Sequence, residues 1–206
     1  MAIEREFKYD VAETYALPAL DGIAGLRARD RGVRQLDAIY WDTDDLRLLR
    51  GGFGLRHRTR DGGDGTWTLK AGSHREGGAM VREETELAGD ARHIPDDLIA
   101  RFRAAAPPGD VHPVAHLRTA RHVIDLSEGG QPLAELADDT VTVFRGDEQV
   151  LRFREVEVEV HGDEVGRTAP VLELLRAAGA VPAETASKYV RALRALGHDV
   201  GAAADE

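Results

Sequence analysis

The sequence contains no cysteine, few aromatic residues and no long hydrophobic run, and each absence excludes a class of protein. Without cysteine among the 206 residues, disulfide frameworks, thiolate zinc sites and thiol nucleophiles are excluded. Aromatic residues make up 5% of the chain, and no apolar stretch approaches the ~20 residues that a membrane-spanning helix needs. The first residues are charged and lack a signal-peptide pattern. These features predict a soluble, cytoplasmic protein that does not associate with membranes.

Charge and length limit what the protein binds and how it is organised. The formal net charge is −10, yet arginines gather in two short stretches, residues 55–60 and 117–121. An acidic chain predicts no nucleic-acid partner, while local positive charge predicts bound anions at a few places. The length suits one domain, which we place at residues 1–196. The small, polar and acidic residues 197–206 are typical of a flexible tail or linker.

Alternation of apolar and polar residues predicts eight β-strands. A strong hairpin-turn signal, Asp61-Gly62-Gly63-Asp64, joins two of them. This number of strands, separated by turns, indicates a closed or nearly closed antiparallel sheet. The predicted strands are residues 2–11, 35–42, 53–60, 65–71, 79–87, 115–126, 132–144 and 150–161.

Helical patterns cover four segments and complete an α+β fold. Pro95 in a first turn, with Asp96 and Asp97 near the positive end of the helix dipole, favours a helix at 95–104. Apolar residues at helical spacing favour helices at 163–178 and 185–196, although Pro170 divides the first if it breaks the helix. Residues 18–29 are the fourth predicted helix.

Like charges occupy alternate positions in several predicted strands, so they share one strand face. Three glutamates alternate with three valines in residues 155–160, three arginines alternate in 56–60, and Glu4, Glu6 and Lys8 open the chain. A solvated outer face tolerates such rows, because water screens exposed charges. If the valines pack against outer helices instead, the glutamates point into the barrel. Both interpretations are open for any single strand.

A barrel lined with charge is stable only when water, counterions or a ligand fill it. Arginine and lysine suit a polyanion, because their donors match phosphate oxygens. Carboxylates suit Mg²⁺ or Mn²⁺, hard cations that bridge phosphates in phosphoryl-transfer sites. The histidines show no zinc-site spacing. The pattern therefore predicts a cavity that holds a polyanion together with a divalent metal.

Short charged motifs follow one another along nearly the whole chain. They are Glu4-Arg5-Glu6-Phe7-Lys8, the stretch 40–48 that begins Tyr40-Trp41-Asp42-Thr43, Leu55-Arg56-His57-Arg58, Trp67-Thr68-Leu69-Lys70, Arg82-Glu83-Glu84-Thr85-Glu86, residues 134–141, Glu155-Val156-Glu157 and Ser187-Lys188-Tyr189. In these motifs and their order, over about residues 3–196, the chain resembles the CYTH family, also called triphosphate tunnel metalloenzymes. That family includes class IV adenylate cyclases, thiamine triphosphatases and inorganic triphosphatases.

The resemblance implies an eight-stranded antiparallel β-barrel tunnel with helices packed outside. It implies a metal site formed by Glu4, Glu6, Glu155 and Glu157, with Glu159 as an addition on the same face. It implies Glu4, Glu6, Lys8 and Lys188 as the catalytic set. The implied substrate-binding residues are Lys8, Arg56, Arg58, Lys70, Arg82, Glu84, Arg118, Arg121, Glu135, Asp139 and Lys188.

One stretch departs from the family pattern. The family commonly has Lys-x-Arg on the strand after the mid-chain helix, whereas this chain has Arg118-Thr119-Ala120-Arg121. The second basic group is therefore either replaced by Ala120 or displaced to Arg121 through a bulge.

The leading hypothesis for function is metal-dependent hydrolysis of inorganic triphosphate or a close relative, with Mg²⁺ or Mn²⁺. Changing Glu4 or Lys188 to alanine is then expected to abolish activity without unfolding the barrel. One alternative is a module that binds polyphosphate or triphosphate with little turnover. In that case, linkage to a C-terminal helical CHAD domain is expected, as in many relatives. The other alternative is nucleotide cyclisation of the class IV adenylate cyclase type. The sequence does not fix the substrate, the preferred metal or the oligomeric state.

Overall fold

The computed structural model describes residues 2–162, 165–183 and 187–201. Within these residues the strands are β1 Ala2–Val11, β2 Leu26–Asp42, β3 Phe53–Arg60, β4 Gly65–Glu76, β5 Ala79–Ala88, β6 His112–Glu128, β7 Gln131–Arg145, β8 Glu148–Val160 and the two-residue β9 Val181–Pro182. The helices are α1 Arg47–Arg50, α2 Asp96–Phe102, α3 Ala169–Ala177 and α4 Lys188–Ala195.

The strands form one antiparallel sheet that closes on itself. The order is β5-β4-β3-β2-β6-β7-β8-β1, and a further pairing between β1 and β5 closes the barrel. Residues 2–6 of β1 pair with β5, and residues 6–11 pair with β8. The short β9 pairs with Tyr9 and Asp10, where the pairing with β5 has ended. The predicted eight-stranded antiparallel barrel is confirmed.

Apolar side chains on the outer face of the barrel pack against α2 and α3. Val156 and Val158 of β8 are fully buried in one cluster with Leu172 and Leu175 of α3. Trp67 of β4 is fully buried in a second cluster that includes α2. Because successive side chains of a strand point to opposite faces, the glutamates that alternate with these valines face the interior. This settles the choice that the sequence left open for β8.

Helix α4 packs against the inner face of the barrel, whereas α2 and α3 pack on its outer face. Val190 and Leu193 pack with Leu117, Val141 and Val143, which belong to the inner face of β6 and β7. Fully burying one such side chain stabilises a fold by roughly 1.5–3 kcal/mol, so this end of the barrel is held against α4 by apolar contacts. Lys188, the first residue of α4, consequently enters the barrel interior.

The helix predicted at residues 18–29 is wrong. Residues 20–25 form turns and bends, and β2 begins at Leu26. Gly25 has a φ of 82°, a left-handed conformation that ends a helix and suits a turn. The first half of β2 is largely exposed, so it carries no alternation that could have marked it as a strand.

The other helix predictions need smaller changes. The helix at 95–104 runs over Asp96–Phe102. The segment 163–178 contains a 3-10 turn, Val165–Thr168, followed by α3, and Pro170 lies in the first turn of α3, where proline is tolerated. Residues 163, 164 and 184–186 of the two C-terminal predictions lie outside the described part of the chain.

Two predictions concern the chain as a whole. No helix among the described residues has the length and apolar character to span a membrane. The tail predicted at 197–206 is described only as far as residue 201, and there Val200 is buried in the cluster that contains α4.

Candidate functional site

The barrel encloses a cavity of about 1140 Å³. Its wall consists largely of strand side chains and the start of α4, and it extends to α3 and the 3-10 turn before it. Most of the residues that the sequence analysis assigned to binding or catalysis line this cavity. They are Glu4, Glu6, Lys8, Arg56, Arg58, Lys70, Arg82, Glu84, Arg121, Glu135, Glu157, Glu159 and Lys188.

Lys188 lies at the centre of a compact group of charges, which we call the lysine cluster: Lys8, Lys188, Asp139, Glu155 and Glu157. Its Nζ is 2.5 Å from Glu155 Oε1, 2.6 Å from Glu157 Oε1 and 2.9 Å from Asp139 Oδ2. The Nζ of Lys8 lies 3.1 Å from Glu157 and 3.5 Å from Glu155. Burial lowers the pKa of both lysines, but the carboxylates outweigh it and raise each pKa above its ordinary value. Both side chains are therefore charged throughout the neutral range.

Arg121 joins the lysine cluster from β6. Its guanidinium donates to both carboxylate oxygens of Asp139, at 2.9 and 2.6 Å, and to Glu157 at 2.7 Å. This fork geometry is the one arginine uses for carboxylate and phosphate groups. Burial raises the pKa of Glu157, but Lys188, Lys8 and Arg121 outweigh it and hold that pKa well below the usual range.

Three buried carboxylates of the lysine cluster form a set suited to a metal ion. Asp139, Glu155 and Glu157 each place an oxygen within 4.8 Å of the others. Both oxygens of Glu155 lack a partner with hydrogen-bond geometry among the described residues, and burial raises the pKa of this carboxyl. Three hard oxygen donors this close together fit Mg²⁺ or Mn²⁺. In this structure the ammonium of Lys188 lies against all three carboxylates. The family resemblance implies a different role for Asp139, as one of the substrate-binding residues.

A second group of charges lies on β1, β4 and β5. The Nζ of Lys70 is 2.7 Å from both oxygens of Glu4 and 3.3 Å from Glu84. Arg82 bridges Glu4 and Glu6, at 3.4 and 3.5 Å. Among the described residues, Glu4 and Glu6 do not belong to a set of three carboxylates within metal-binding reach. In this structure their partners are basic side chains.

Arg56 and Arg58 extend the basic wall along β3. Arg56 is 3.8 Å from Glu84, and Arg58 is 3.7 Å from Glu86. The neighbouring charge of Arg56, together with burial, lowers the pKa of Arg58 to about 10. Positive charge at this position is therefore only partly balanced by carboxylates.

Glu135 and Glu159 face each other on β7 and β8. Both line the cavity. Burial, followed by the nearby charge of Glu4, raises the pKa of Glu159 to about 7. Glu135 and Glu159 thus lie on the cavity wall apart from Asp139, Glu155 and Glu157, and the raised pKa leaves Glu159 only partly ionised at neutral pH.

The structure places Arg118 outside the cavity. Its side chain is 62% exposed, pairs with Asp37 at 3.0 Å and lies over the ring of Phe144. Leu117, Thr119 and Arg121 occupy the inner face of β6, so Arg121 reaches the cavity through plain strand alternation. No bulge lies between residues 118 and 121. Arg118 is therefore not one of the substrate-binding residues that line the cavity. Arg121 provides the basic side chain of β6 there, so Ala120 does not stand in place of a lost basic group.

Tyr40 and Tyr189 line the cavity as well, although the sequence predicted no site role for them. Tyr40 lines the cavity, and its ring stacks on Tyr189 with centroids 4.7 Å apart. Burial raises the pKa of Tyr40, but Arg56 and Lys188 outweigh it and hold that pKa below its usual value. The alternation of Leu36, Ala38 and Tyr40 was the signal that this ring points inward.

The Asp42 side chain links Tyr189 of α4 to α1 and to the residue that follows Asp42 in the chain. Its carboxylate is fully buried and accepts from the backbone N–H groups of Thr43, Leu48 and Leu49. It also accepts from the Tyr189 hydroxyl at 2.9 Å. Since Tyr189 follows Lys188 directly, Asp42 fixes the helix start that carries Lys188 into the cavity.

Tyr189→Phe is expected to destabilise the protein by ~1.5–3 kcal/mol, because it removes a hydrogen bond to a buried carboxylate. Urea denaturation monitored by fluorescence measures the change. Tyr9→Phe is the matched control, since the Tyr9 hydroxyl has only a 3.4 Å contact with Arg176. An equal loss in both variants contradicts the role assigned to Asp42.

Comparison with solved structures shows the same fold. A protein from Hippeastrum, described as an adenylyl cyclase candidate with a dominant triphosphatase activity, superposes with a TM-score of 0.66 at 20% identity and covers 95% of this chain and 100% of its own. A protein from Bacillus halodurans, described as a candidate adenylate cyclase, gives 0.66 at 21% identity and covers 93% of this chain and 98% of its own.

Sequence comparison finds relatives and a family. Two proteins from Mycobacterium tuberculosis (strains CDC 1551 / Oshkosh and ATCC 25618 / H37Rv), both described as uncharacterized, are 32% identical over an alignment of 212 residues that covers 94% of this chain. The chain spans about 40% of the length of these relatives. The model of the CYTH domain matches residues 2–194. The barrel, its charged cavity and this match over nearly the whole chain agree, and the protein belongs to the CYTH domain family.

Proposed function

We propose that the protein is a metal-dependent hydrolase of inorganic triphosphate or a closely related triphosphate. The observation that carries the proposal is the joint presence of six basic side chains around one cavity and of a compact set of buried carboxylates, of which Glu157 lines that cavity. The basic residues come from five strands and from α4, so they surround the space from several sides. They are Lys8, Arg56, Lys70, Arg82, Arg121 and Lys188.

The basic residues are suited to holding a phosphate chain. Each already pairs with carboxylates of the cavity wall, so its side chain is held in place before a ligand arrives. Preorganised cations stabilise charge that develops on a transferring phosphoryl group without reorganisation during the reaction. The arginines additionally present two parallel donors to phosphate oxygens.

Asp139, Glu155 and Glu157 are the residues that would hold a divalent metal. When bound there, Mg²⁺ or Mn²⁺ supplies charge neutralisation for phosphate oxygens. The protein needs no nucleophilic side chain, because water is the acceptor in triphosphate hydrolysis. The basic residues of the cavity orient the phosphate chain and exclude bulk water from it.

The test is release of orthophosphate from tripolyphosphate with Mg²⁺ or Mn²⁺ between neutral and alkaline pH. Lys70→Gln is expected to lower kcat/KM by ~10²-fold or more, because it removes a cation from the cavity. Arg103→Gln, an exposed residue at the end of α2, serves as the control for a lost positive charge. Absence of turnover with both metals contradicts the proposal.

A module that binds triphosphate or polyphosphate with little turnover is the second candidate. It is favoured by the extensive pairing between cations and carboxylates in the cavity, since that pairing suits binding whether or not hydrolysis follows. Calorimetric binding of tripolyphosphate without phosphate release would select it. Cyclic AMP formed from ATP would instead identify the cyclase reaction. One face of the Tyr40 ring is covered by Tyr189, so only the other face is open to stack on the base of a nucleotide.

A further inference from the structure

Three arginines mark the place where the cavity opens to solvent, and we call them the arginine mouth: Arg34, Arg58 and Arg60. All three line the cavity. Arg60 is also exposed, and Arg34 and Arg58 are partly exposed. Residues that line a cavity and are exposed at once stand at its opening, so the arginine mouth leads from solvent to the inner basic wall.

Positive charge at the arginine mouth is only partly balanced by carboxylates among the described residues. Among the described residues, the carboxylate that pairs with this group is Glu86, 3.7 Å from Arg58 and itself 47% exposed. Neither Arg34 nor Arg60 has a carboxylate partner within the described part of the chain. In contrast, the inner cations each contact carboxylates, as Lys70 does with Glu4 at 2.7 Å.

The register of the strands adds to this imbalance. Arg34 is directly opposite Arg121 across the β2–β6 pair, and Arg60 is opposite Leu36 on β2, two residues from Arg34. Like charges directly opposite each other on neighbouring strands are destabilising. The neighbouring charge of Arg56, followed by burial, lowers the pKa of Arg58 to about 10, as expected where cations crowd together. An anion held between these side chains would relieve the repulsion.

We infer that the arginine mouth binds phosphate groups beyond the third, so that the cavity takes linear inorganic polyphosphates longer than triphosphate. The inference rests on the proposed function, because it places the first phosphates on the inner basic wall. Arginine forks match phosphate oxygens in pairs, and a linear chain is the ligand that reaches both the wall and the mouth. The mouth therefore sets a preference for chain length.

The experiment compares tetrapolyphosphate with tripolyphosphate on the wild type and on Arg34→Gln/Arg60→Gln. The expected result is a ~10-fold fall in the ratio of kcat/KM for tetrapolyphosphate to that for tripolyphosphate, as for the loss of a charge-assisted hydrogen bond. The matched control is Arg29→Gln/Arg103→Gln, two exposed positions outside the cavity lining. It changes the net charge equally, and the ratio is expected to stay at the wild-type value.

A binding measurement separates this inference from the proposed function. Isothermal titration of both phosphates in EDTA gives the ratio of their Kd values without turnover. If the wild type hydrolyses neither compound, the proposed function fails, and the inference still stands if Arg34→Gln/Arg60→Gln lowers the binding preference for tetrapolyphosphate ~10-fold. If both ratios are the same in the wild type and in the double variant, the inference is overturned whatever the activity.

Discussion

Lys188→Met is expected to abolish triphosphate hydrolysis and to destabilise the metal-free protein. Nζ of Lys188 contacts three buried carboxylates at 2.5–2.9 Å. Removing one partner of a buried ion cluster costs ~3–5 kcal/mol, because the remaining charges lose their compensation. For a chain of this size the melting temperature then falls by ~10 °C. The sequence alone suggested the opposite for stability, namely that an inward charge can be removed without penalty.

Thermal unfolding in EDTA and in Mg²⁺ measures the stability part of this prediction. Mg²⁺ is expected to raise the melting temperature of Lys188→Met more than that of the wild type, since the three freed carboxylates gain a cation. Arg194→Met, an exposed change on the same helix, controls for the effect of methionine in α4. A Lys188→Met protein that melts like the wild type in EDTA would refute the prediction.

Glu155→Gln is expected to weaken Mn²⁺ binding much more than Glu4→Gln does. Glu155 belongs to the compact set with Asp139 and Glu157, in which an oxygen of each carboxylate lies within 4.8 Å of the others. Glu4, which is held by Lys70 and Arg82, belongs to no such set among the described residues. Loss of a direct ligand should raise the Kd for Mn²⁺ by at least ~10–100-fold, the effect known for ligand-supporting residues. Glu4→Gln removes the same charge from another buried glutamate of the barrel interior and serves as the matched control.

Mn²⁺ titration followed by electron paramagnetic resonance gives both Kd values. The outcome decides between the metal site implied by the family resemblance, which included Glu4 and Glu6, and the one suggested by the geometry. An equal increase in Kd for both variants would show that the metal is shared between the two groups of charges. It would then contradict the assignment to Asp139, Glu155 and Glu157.

The barrel could be predicted because its strands carry regular alternation. In β8 the valines and glutamates differ so clearly that a single segment defines both faces. Sequence alone could not decide which face is inside, since exposed charges are also stable in water. That decision came from tertiary structure, where α3 packs on Val156 and Val158.

The sites that prediction missed depend on pairing between distant segments. Arg118 and Arg121 lie on opposite faces of β6, so each face of this strand carries a basic residue. Only Leu117 and Thr119, which share the face of Arg121, indicate which of the two points inward. Asp139 reaches Glu155 because the β7–β8 register places the two directly opposite. A single sequence does not contain that register. The helix predicted at 18–29 failed for a local reason, because Gly25 favours a turn.

Closure of the barrel by β1 constrains the order in which the protein can fold. The first strand pairs with β5 and with β8, so its pairing can be completed during synthesis only after β8, which ends at Val160, has emerged. Such contacts between distant segments slow folding and prolong exposure of unpaired strand edges. The apolar inner side chains of β6 and β7 stay exposed even longer, because α4, which covers them, begins only at Lys188. We therefore expect the nascent chain, rather than the finished barrel, to be the form most prone to aggregate.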